Sequence, residues 1–447
     1  MRCLMRTGIV ALGCAFVLSG AAVQGETLQE AVQEVVRSNP QIRSQAFNRL
    51  GRDQEVRQAR SGYWPELDFV AGAGVEEVQE PEDETLDPLE MRLSLRQNVF
   101  AGLSTMNEVD RQQARVRSSA YSLQGISENV ALTTARAYLD VIRMAELKLL
   151  AEENLLTHQR IADQIQLRSE SGVGSQADSE QVKGRVSLAQ ANVVVTETNL
   201  IDAKTNYLAV VGHMPGDLLR PEIADSLMPA SMEEAEEMAL AGHPTLKSAM
   251  ADLDARKEQH EVAKSPFWPR LDIEIDQNWD EDVDATPGKQ ESTAAMVRMR
   301  YNLFKGYNDQ ARKVETRHLI EEAREIKNST HRQVVESIRL SWMAYQSVLE
   351  RITYLEQHVA SSAATSDSYT EQFNLGKRTL LDVLDSEAES IEAKQDLINA
   401  SYDGLYSQCR ILNGTGRLVH ALGLQWPAES EVGAENRDRQ VAEAKAK

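Results

Sequence analysis

The stretch that decides the fold is Leu-Asp-Ile-Glu-Ile-Asp-Gln-Asn-Trp-Asp, residues 271–280. Apolar and acidic side chains alternate along it, which predicts a β-strand with one apolar face and one charged face. A second alternating run, near residues 293–302, carries arginines on its charged face. The acidic strand and the arginine-bearing strand are therefore expected to pair as a hairpin.

A second pair of alternating strands is expected earlier in the chain, near residues 68–76 and 91–98. Each strand has about nine or ten residues, the length that crosses a bilayer when the strand is tilted. An apolar outer face and a charged inner face are typical of a porin-like barrel, although a soluble sheet with one buried face shows the same alternation. The charged faces supply the expected lumen residues: Arg92, Arg96, Asp272, Glu274, Arg298 and Arg300.

The chain contains one structural unit twice. A shift of 204 positions aligns residues 27–212 with residues 231–416 without a gap, and eleven residues are identical over the first 42 positions. We therefore expect a first repeat at residues 26–230 and a second at 231–427. Each repeat is predicted to run helix, strand, strand, very long helix, helix.

The very long helices are predicted at residues 104–170 and 308–372. Apolar or small residues recur every seven positions along both stretches, and such a repeat specifies helices that pack along their whole length. A helix over 104–170 would be about 100 Å long at 1.5 Å per residue. A compact antiparallel coiled coil explains the repeat equally well, and only the strands favour a hollow helical wall.

Both ends of the chain are expected to lie outside the two repeats. Residues 1–25 resemble a secretory signal, because Arg2 and Arg6 precede an apolar run from Gly8 to Leu18. The polar segment 428–447 is predicted to be a disordered tail.

Composition and motifs exclude several classes of protein. The formal net charge of −21 argues against a nucleic-acid-binding protein, which needs clustered basic residues. The eight histidines show no metal-ligand spacing, and neither a nucleophile elbow nor a phosphate-binding loop occurs. We therefore expect no catalytic residue, no metal and no cofactor.

Short motifs recur where the strands and helices are expected to meet. They are Trp64-Pro65 and Trp268-Pro269 before the strands, Asn-Val-Phe-Ala-Gly at 98–102 and Asn-Leu-Phe-Lys-Gly at 302–306 after them, and Leu-Gly-Lys-Arg-Thr-Leu-Leu-Asp-Val-Leu-Asp at 375–385. With these motifs the chain resembles the TolC-like outer-membrane export-channel family over almost its whole length after residue 25. The two Trp-Pro pairs would then form the junction between barrel and helices.

The resemblance implies an α+β fold, mostly α, in which each protomer gives four strands to a trimeric twelve-stranded β-barrel and helices to a coiled-coil barrel. It implies a site in the outer membrane of a Gram-negative bacterium, in contact with its lipid, with the helices in the periplasm. The implied partners are a periplasmic adaptor protein and an inner-membrane ABC transporter or proton-driven pump. The implied function is a passive exit duct for type I protein secretion, with drug or small-molecule efflux as the alternative. A periplasmic coiled-coil scaffold without a pore is an alternative of another class.

The resemblance also implies a gate at the periplasmic tip. Arg378 matches an arginine that helps to hold the entrance shut, and Asp382 and Asp385 match aspartates that ring it. Phe373 stands where some members have a tyrosine, and Glu180 falls opposite an aspartate of the family pattern. The corresponding tip turns contain Gly172, Gly174 and Gly376. Without the resemblance, Arg378 and Asp382 would be an ordinary i,i+4 surface ion pair.

Overall fold

A computed structural model describes residues 25–78, 84–171, 175–284 and 286–432 of this chain. The expected signal segment lies outside these ranges except for Gly25. Gly172 and Gly174 of the expected tip turn, and residues 433–447 of the expected tail, also lie outside them.

The helices and strands form two sets in the same order. The first set is α1 (Leu28–Ser38), α2 (Pro40–Ser61), β1 (Glu66–Ala73), a small hairpin of β2 (Glu76–Val78) and β3 (Glu84–Leu86), β4 (Leu89–Ala101), α3 (Ser104–Glu170) and α4 (Gln176–Val211). The second set is α5 (Met232–Gly242), α6 (Pro244–Lys264), β5 (Arg270–Val283), β6 (Thr286–Arg300), α7 (Asn308–Asn374) and α8 (Leu380–Gly414), followed by a short α9 (Leu418–Ala421). Helices α3 and α7 each have 67 residues and begin 204 positions apart.

Each set opens with two helices because a proline follows a capping residue. The side chain of Asn39 accepts a hydrogen bond from Gln41 N at 2.8 Å and so caps α2. Pro40 then occupies the first helical position, where no N–H group is needed. His243 caps α6 in the same way, with its Nδ1 3.3 Å from the backbone nitrogen of Thr245.

The chain passes from strand into long helix through two successive residues with positive φ. These are Gly102 (59°) and Leu103 (65°) before α3, and Gly306 (59°) and Tyr307 (62°) before α7. Glycine tolerates this conformation without steric cost. At Gly102 a Cβ atom would also lie only 2.6 Å from Ser265 O, so the first turn has a second reason for its glycine.

The shorter helices pack along the long ones. Helix α3 contacts α2, α4, α6 and α8, and helix α7 contacts α5, α6 and α8. The largest apolar cluster lies where α1, the middle of α3, the end of α8 and α9 meet, around Leu28, Leu123, Tyr138 and Leu418. Among the residues that the structure describes, no helix combines the length and the apolar character needed to span a bilayer.

A buried carboxylate fastens the segment after α8 to α3. Glu128 accepts hydrogen bonds from Leu418 N at 2.9 Å, Val419 N at 3.3 Å and Trp426 Nε1 at 2.8 Å. It therefore satisfies N–H groups at the start of α9. Burial raises the pKa of Glu128 to about 7, although the hydrogen bonds it accepts oppose this shift.

The expected start of the disordered tail at Ala428 is wrong. Residues Ala428–Ser430 form a single 3₁₀ turn, and Ser430 is buried. The carbonyl oxygen of Ser430 accepts a hydrogen bond from Gln124 Nε2 of α3 at 2.9 Å. A polar sequence gave no sign of this contact, because the partner that satisfies the backbone lies about 300 residues earlier in the chain.

Four antiparallel strands form one sheet in the order β1-β4-β5-β6. Apolar residues align across it, as in Leu95 opposite Ile275 and Ile275 opposite Ala295. Charged residues align on the other face, as in Asp272 opposite Arg298. The predicted alternation of faces is therefore present in all four strands, with irregularities of register between Asn98 and Phe100 and between Glu281 and Val283.

We predict that Glu128 makes stability depend on pH. The folded state holds the Glu128 proton more tightly than an unfolded carboxyl with a pKa of 4.5, so the free energy of unfolding should fall as pH rises from about 4.5 to about 7. Glu128→Gln should remove this dependence and cost about 1–3 kcal/mol, because its amide would leave a buried N–H donor without an acceptor. Thermal unfolding of the detergent-solubilised chain between pH 5 and 8 measures both effects.

The exposed Glu431 provides the control, since Glu431→Gln makes the same change of charge in the segment that Glu128 fastens to α3. An equal pH dependence in wild type and Glu128→Gln would contradict the assignment of the titrating group.

Candidate functional site

The turn between α7 and α8 is closed by a glycine. Gly376 has φ = 72°, and its N–H donates to Phe373 O at 2.9 Å. Lys377 N donates to Gln372 O at 2.8 Å. These two bonds make a Schellman motif, in which a residue with positive φ ends the helix and satisfies its last carbonyl groups. The expected break at Gly376 is therefore present.

Helix α8 begins with a capping box that includes one of the expected gate aspartates. Asp382 Oδ2 accepts hydrogen bonds from the hydroxyl of Thr379 at 2.8 Å and from its backbone N–H at 3.2 Å. Asp382 N lies 3.3 Å from Thr379 Oγ1 in return. The Thr379 hydroxyl, with its amide and the charge of Arg378, holds the pKa of Asp382 below its usual value. The carboxylate of Asp382 thus stays ionised in a single chain.

Arg378 is held mainly by its own helix end. Its Nε donates to Gln372 Oε1 at 3.1 Å, and its guanidinium carbon lies 4.0 Å from the centre of the Tyr369 ring. Its closest carboxylate oxygen, Asp382 Oδ1, is 3.8 Å away. Cation–π and hydrogen-bond contacts with α7 therefore position Arg378 more closely than the ion pair does. The contacts of Arg378 with Tyr369 and Gln372 were not predictable from the sequence, because these two residues lie across the turn.

Asp385 and Glu180 have separate partners. Asp385 Oδ1 accepts a hydrogen bond from the guanidinium of Arg185 on α4 at 3.1 Å. Glu180 is paired with Lys183 Nζ at 2.8 Å, and this lysine lowers the pKa of Glu180. The structure brings Arg378 close to Asp382 and joins Asp385 to a neighbouring helix, but within one chain it does not bring Glu180 to either group.

Phe373 belongs to a small apolar cluster at the tip. It packs with the buried residues Ile165, Val182, Leu380 and Leu384, which come from three helices. The guanidinium carbon of Arg168 lies 4.5 Å from the centre of the Phe373 ring. The ring therefore helps to hold the ends of α3, α4, α7 and α8 together.

A buried polar layer lies beside this apolar cluster. His158 on α3 is buried, and neither its Nδ1 nor Asn154 Oδ1 has a hydrogen-bond partner in the described chain. Burial lowers the pKa of His158. Ser366 on α7 donates to Glu387 Oε1 on α8 at 2.9 Å. No sequence signal marked this layer, since its members are spread over three helices.

At the other end of the long helices, the two Trp-Pro pairs lie where helices meet strands. Trp64 and Pro65 connect α2 to β1, and Trp268 and Pro269 connect α6 and a 3₁₀ turn to β5. Both indole rings are largely exposed. Their role at a junction between barrel and helices stays a prediction.

Five of the six expected lumen residues form one charged network. Asp272, which is fully buried, accepts from Arg270 Nε at 2.9 Å and from Arg300 at 2.7 Å. Glu274 accepts from Arg298 Nε at 2.6 Å and from Arg300, and it lies 3.5 Å from Arg96 Nε. Buried carboxylates are stable only with such partners.

Two further residues complete the charged face. Asn98 donates to Asp272 Oδ1 at 2.8 Å and so joins the network. Arg92, the sixth expected lumen residue, donates instead to Asn278 Oδ1 at 2.9 Å, farther along the sheet. Asn98 was noted only as part of the motif at 98–102 and not as a lumen residue. Arg270 was not predicted, although it has the same parity as the acidic positions that it serves.

Comparison with known proteins identifies the fold and the family. The sequence profile described as outer membrane efflux protein matches residues 31–213 and 236–417. The outer membrane protein TolC of Escherichia coli K12 is 24% identical over 417 residues, covering 88% of this chain and 83% of that protein. The proteases secretion protein PrtF of Dickeya chrysanthemi is 22% identical over 445 residues, covering 93% of each.

A solved structure shows the same fold. The CmeC outer membrane channel of Campylobacter jejuni superposes with a TM-score of 0.79 at 13% identity, covering 94% of this chain and 89% of that one. Such relatives are channels rather than enzymes. Because the profile covers more than half of the sequence, the chain belongs to the outer membrane efflux protein family, a TolC-like family of Gram-negative outer-membrane proteins that extend into the periplasm.

Proposed function

We propose that three copies of this chain close one twelve-stranded barrel in the outer membrane and one helical tunnel in the periplasm, and that this assembly is a passive exit duct. The observation that carries the proposal is the sheet, whose four strands leave β1 and β6 with one neighbour each. Its apolar face is uncovered, since Leu67, Phe69, Val297 and Met299 are between 63% and 76% exposed. A bilayer around a closed ring of strands would bury this face and leave no free edge.

The helices support a duct rather than a compact bundle. Each long helix of 67 residues extends for about 100 Å. The shorter helices pack beside it instead of enclosing a single core. Three copies would place six long helices in one wall.

TolC-like outer-membrane export channels work in tripartite systems with an adaptor and an inner-membrane transporter. For this chain we propose a periplasmic adaptor and an ABC transporter, with a protein as cargo, as in type I secretion. The name of the protease secretion relative, which matches 93% of this chain, supports this choice. A second candidate is small-molecule efflux with a proton-driven pump, and the description of the family as efflux proteins favours it.

Conductance tests the duct. The purified chain in a planar bilayer should give discrete channels, because a closed barrel provides a continuous aqueous path. A periplasmic scaffold without a pore would give none, even when Arg378 and Asp382 are both replaced to open the tip. Crosslinking in cells then separates the two export routes, since an ABC transporter or a proton-driven pump would be recovered with the chain.

We infer that the tips of α7 and α8 form the periplasmic gate and that Arg378 helps to keep it closed. Arg378→Ser should increase uptake of vancomycin-sized solutes by cells, because it removes the contacts with Tyr369 and Gln372 that anchor the turn. Lys377→Ser is the matched control, since Lys377 is the adjacent basic residue and is exposed. Equal uptake by wild type and Arg378→Ser would contradict a latch at this position.

We further infer that Asp382 and Asp385 of three chains attract multivalent cations to the entrance. Divalent or trivalent cations added on the periplasmic side should block the current, since six carboxyl groups would face one narrow opening. Asp382→Ala with Asp385→Ala should relieve the block, measured as the half-blocking concentration in planar bilayers. Glu371→Gln, an exposed acid nearby on α7, should leave the block unchanged. A block that persists in the double variant would move the cation site elsewhere.

A further inference from the structure

The two free edges of the sheet carry opposite charges. Strand β1 is one edge, and its charged face begins with Glu66 and Asp68. Strand β6 is the other edge, and its charged face ends with Arg298 and Arg300. In the part of the chain that the structure describes, Glu66 and Asp68 have no ion pair and are exposed. The acidic edge of one copy is therefore complementary in charge to the basic edge of another.

The basic edge strand β6 and the neighbouring strand β5, which carries Arg270, together have an excess of positive charge. Arg270, Arg298 and Arg300 share only two carboxylates, Asp272 and Glu274. Both carboxylates are buried, whereas the three guanidinium groups are about half exposed. The internal carboxylates thus hold the arginines in place while each arginine keeps surface for a further acceptor.

We propose that β6 of one copy pairs with β1 of the next copy in the register that sets Arg300 opposite Glu66 and Arg298 opposite Asp68. The inference rests on the proposed trimeric duct and names the contacts that close it. In an antiparallel pair, one residue forward on one strand matches one residue back on the other. Glu66 and Asp68 are two positions apart on β1, and Arg298 and Arg300 are two positions apart on β6. A single register therefore forms both ion pairs.

The same register joins the apolar faces. It sets Leu67 opposite Met299 and Phe69 opposite Val297, all of which are exposed in the single chain. Since the side-chain period of a strand is two, a slip by one residue would place apolar side chains opposite charged ones. The ion pairs and the apolar pairs therefore specify one arrangement together.

The register also gives a strand tilt like that of known membrane barrels. Within the chain, Glu66 is in line with Arg96, Glu274 and Met296 across the four strands. In the proposed register Met296 faces Val70 of the next copy. A line perpendicular to the strands that starts at Glu66 of one copy therefore reaches residue 70 of the next copy, a shift of four residues for each copy. A shift of four residues for every four strands tilts the strands by about 35°, from a rise of about 3.3 Å per residue and a strand spacing of about 4.8 Å. Membrane barrels have tilts of about 35–45°.

Disulfide crosslinking in outer membranes tests the register. Val70→Cys with Met296→Cys places two thiols directly opposite each other across the interface of neighbouring copies, and oxidation should give covalent trimers. Two controls are shifted by two residues, Val70→Cys with Ala294→Cys and Gly72→Cys with Met296→Cys. Directly opposite Cβ atoms are about 5 Å apart and diagonal ones about 7–8 Å, so the controls should crosslink roughly tenfold less. The native Cys409 is buried and does not compete.

The outcomes separate this inference from the duct itself. Preferential crosslinking of Val70→Cys with Met296→Cys supports the register. Faster crosslinking in either control, or none in any of the three variants while the protein sediments as a trimer, overturns the register and leaves the duct intact. A detergent-solubilised wild type that sediments as a monomer would overturn the duct.

Neutralising the acidic edge tests the ion pairs. Glu66→Gln with Asp68→Asn should shift the dissociation of the trimer in detergent to a lower temperature. Glu90→Gln removes an acid from the same face of β4, which is paired on both sides within the chain, and should cause no shift. An unchanged dissociation temperature in the double variant would show that Arg298 and Arg300 do not pair with the neighbouring copy.

Discussion

The structure depends on two rows of unpaired backbone N–H and C=O groups, along the outer edges of β1 and β6, because these groups need strand partners outside the sheet. In hydrocarbon such groups have no water to bind, and each unsatisfied group costs several kcal/mol. A four-stranded sheet cannot remove its own edges by twisting. In the proposed duct, the strands of other copies satisfy these edges, and the helices follow the symmetry of the closed ring.

Opposite ends of the long helices are organised by different chemistry. At the strands, Asp272 and Glu274 are buried, so they require guanidinium partners drawn from three strands. At the tip, Asp382 is only partly buried and is satisfied locally by Thr379. A network with several members resists change as a unit, whereas a local cap can move with its helix. The local satisfaction of Asp382 thus fits the proposed gate at the tip, whereas the charged network fits a fixed arrangement of the strands.

Sequence periodicity predicted the features that residues close together in the chain determine, namely the extent of the long helices and the faces of the strands. The first long helix was expected at residues 104–170 and has those bounds, because its sequence lacks proline, contains only Gly125 as a glycine and has glycines just beyond both ends. The faces of the strands followed from alternation alone. Contacts between distant elements were not predictable: Tyr369 beneath Arg378, Arg185 with Asp385 and the anchoring of residues 418–430 by Glu128 depend on the path of the chain in space. The sequence also placed Asp382 and Asp385 on one face, but it could not show that each has its own partner.

Helices α3 and α7 have equal lengths but unequal neighbours, because α9 and the 3₁₀ turn after it lie on α3. Leu340, Met343 and Tyr354 of α7 are mostly exposed. The long helix of the second half therefore has fewer partners within its own chain than the long helix of the first half. In the proposed wall of three chains, six long helices of two kinds would alternate, and the exposed side chains of α7 would remain available for contacts with a neighbouring copy.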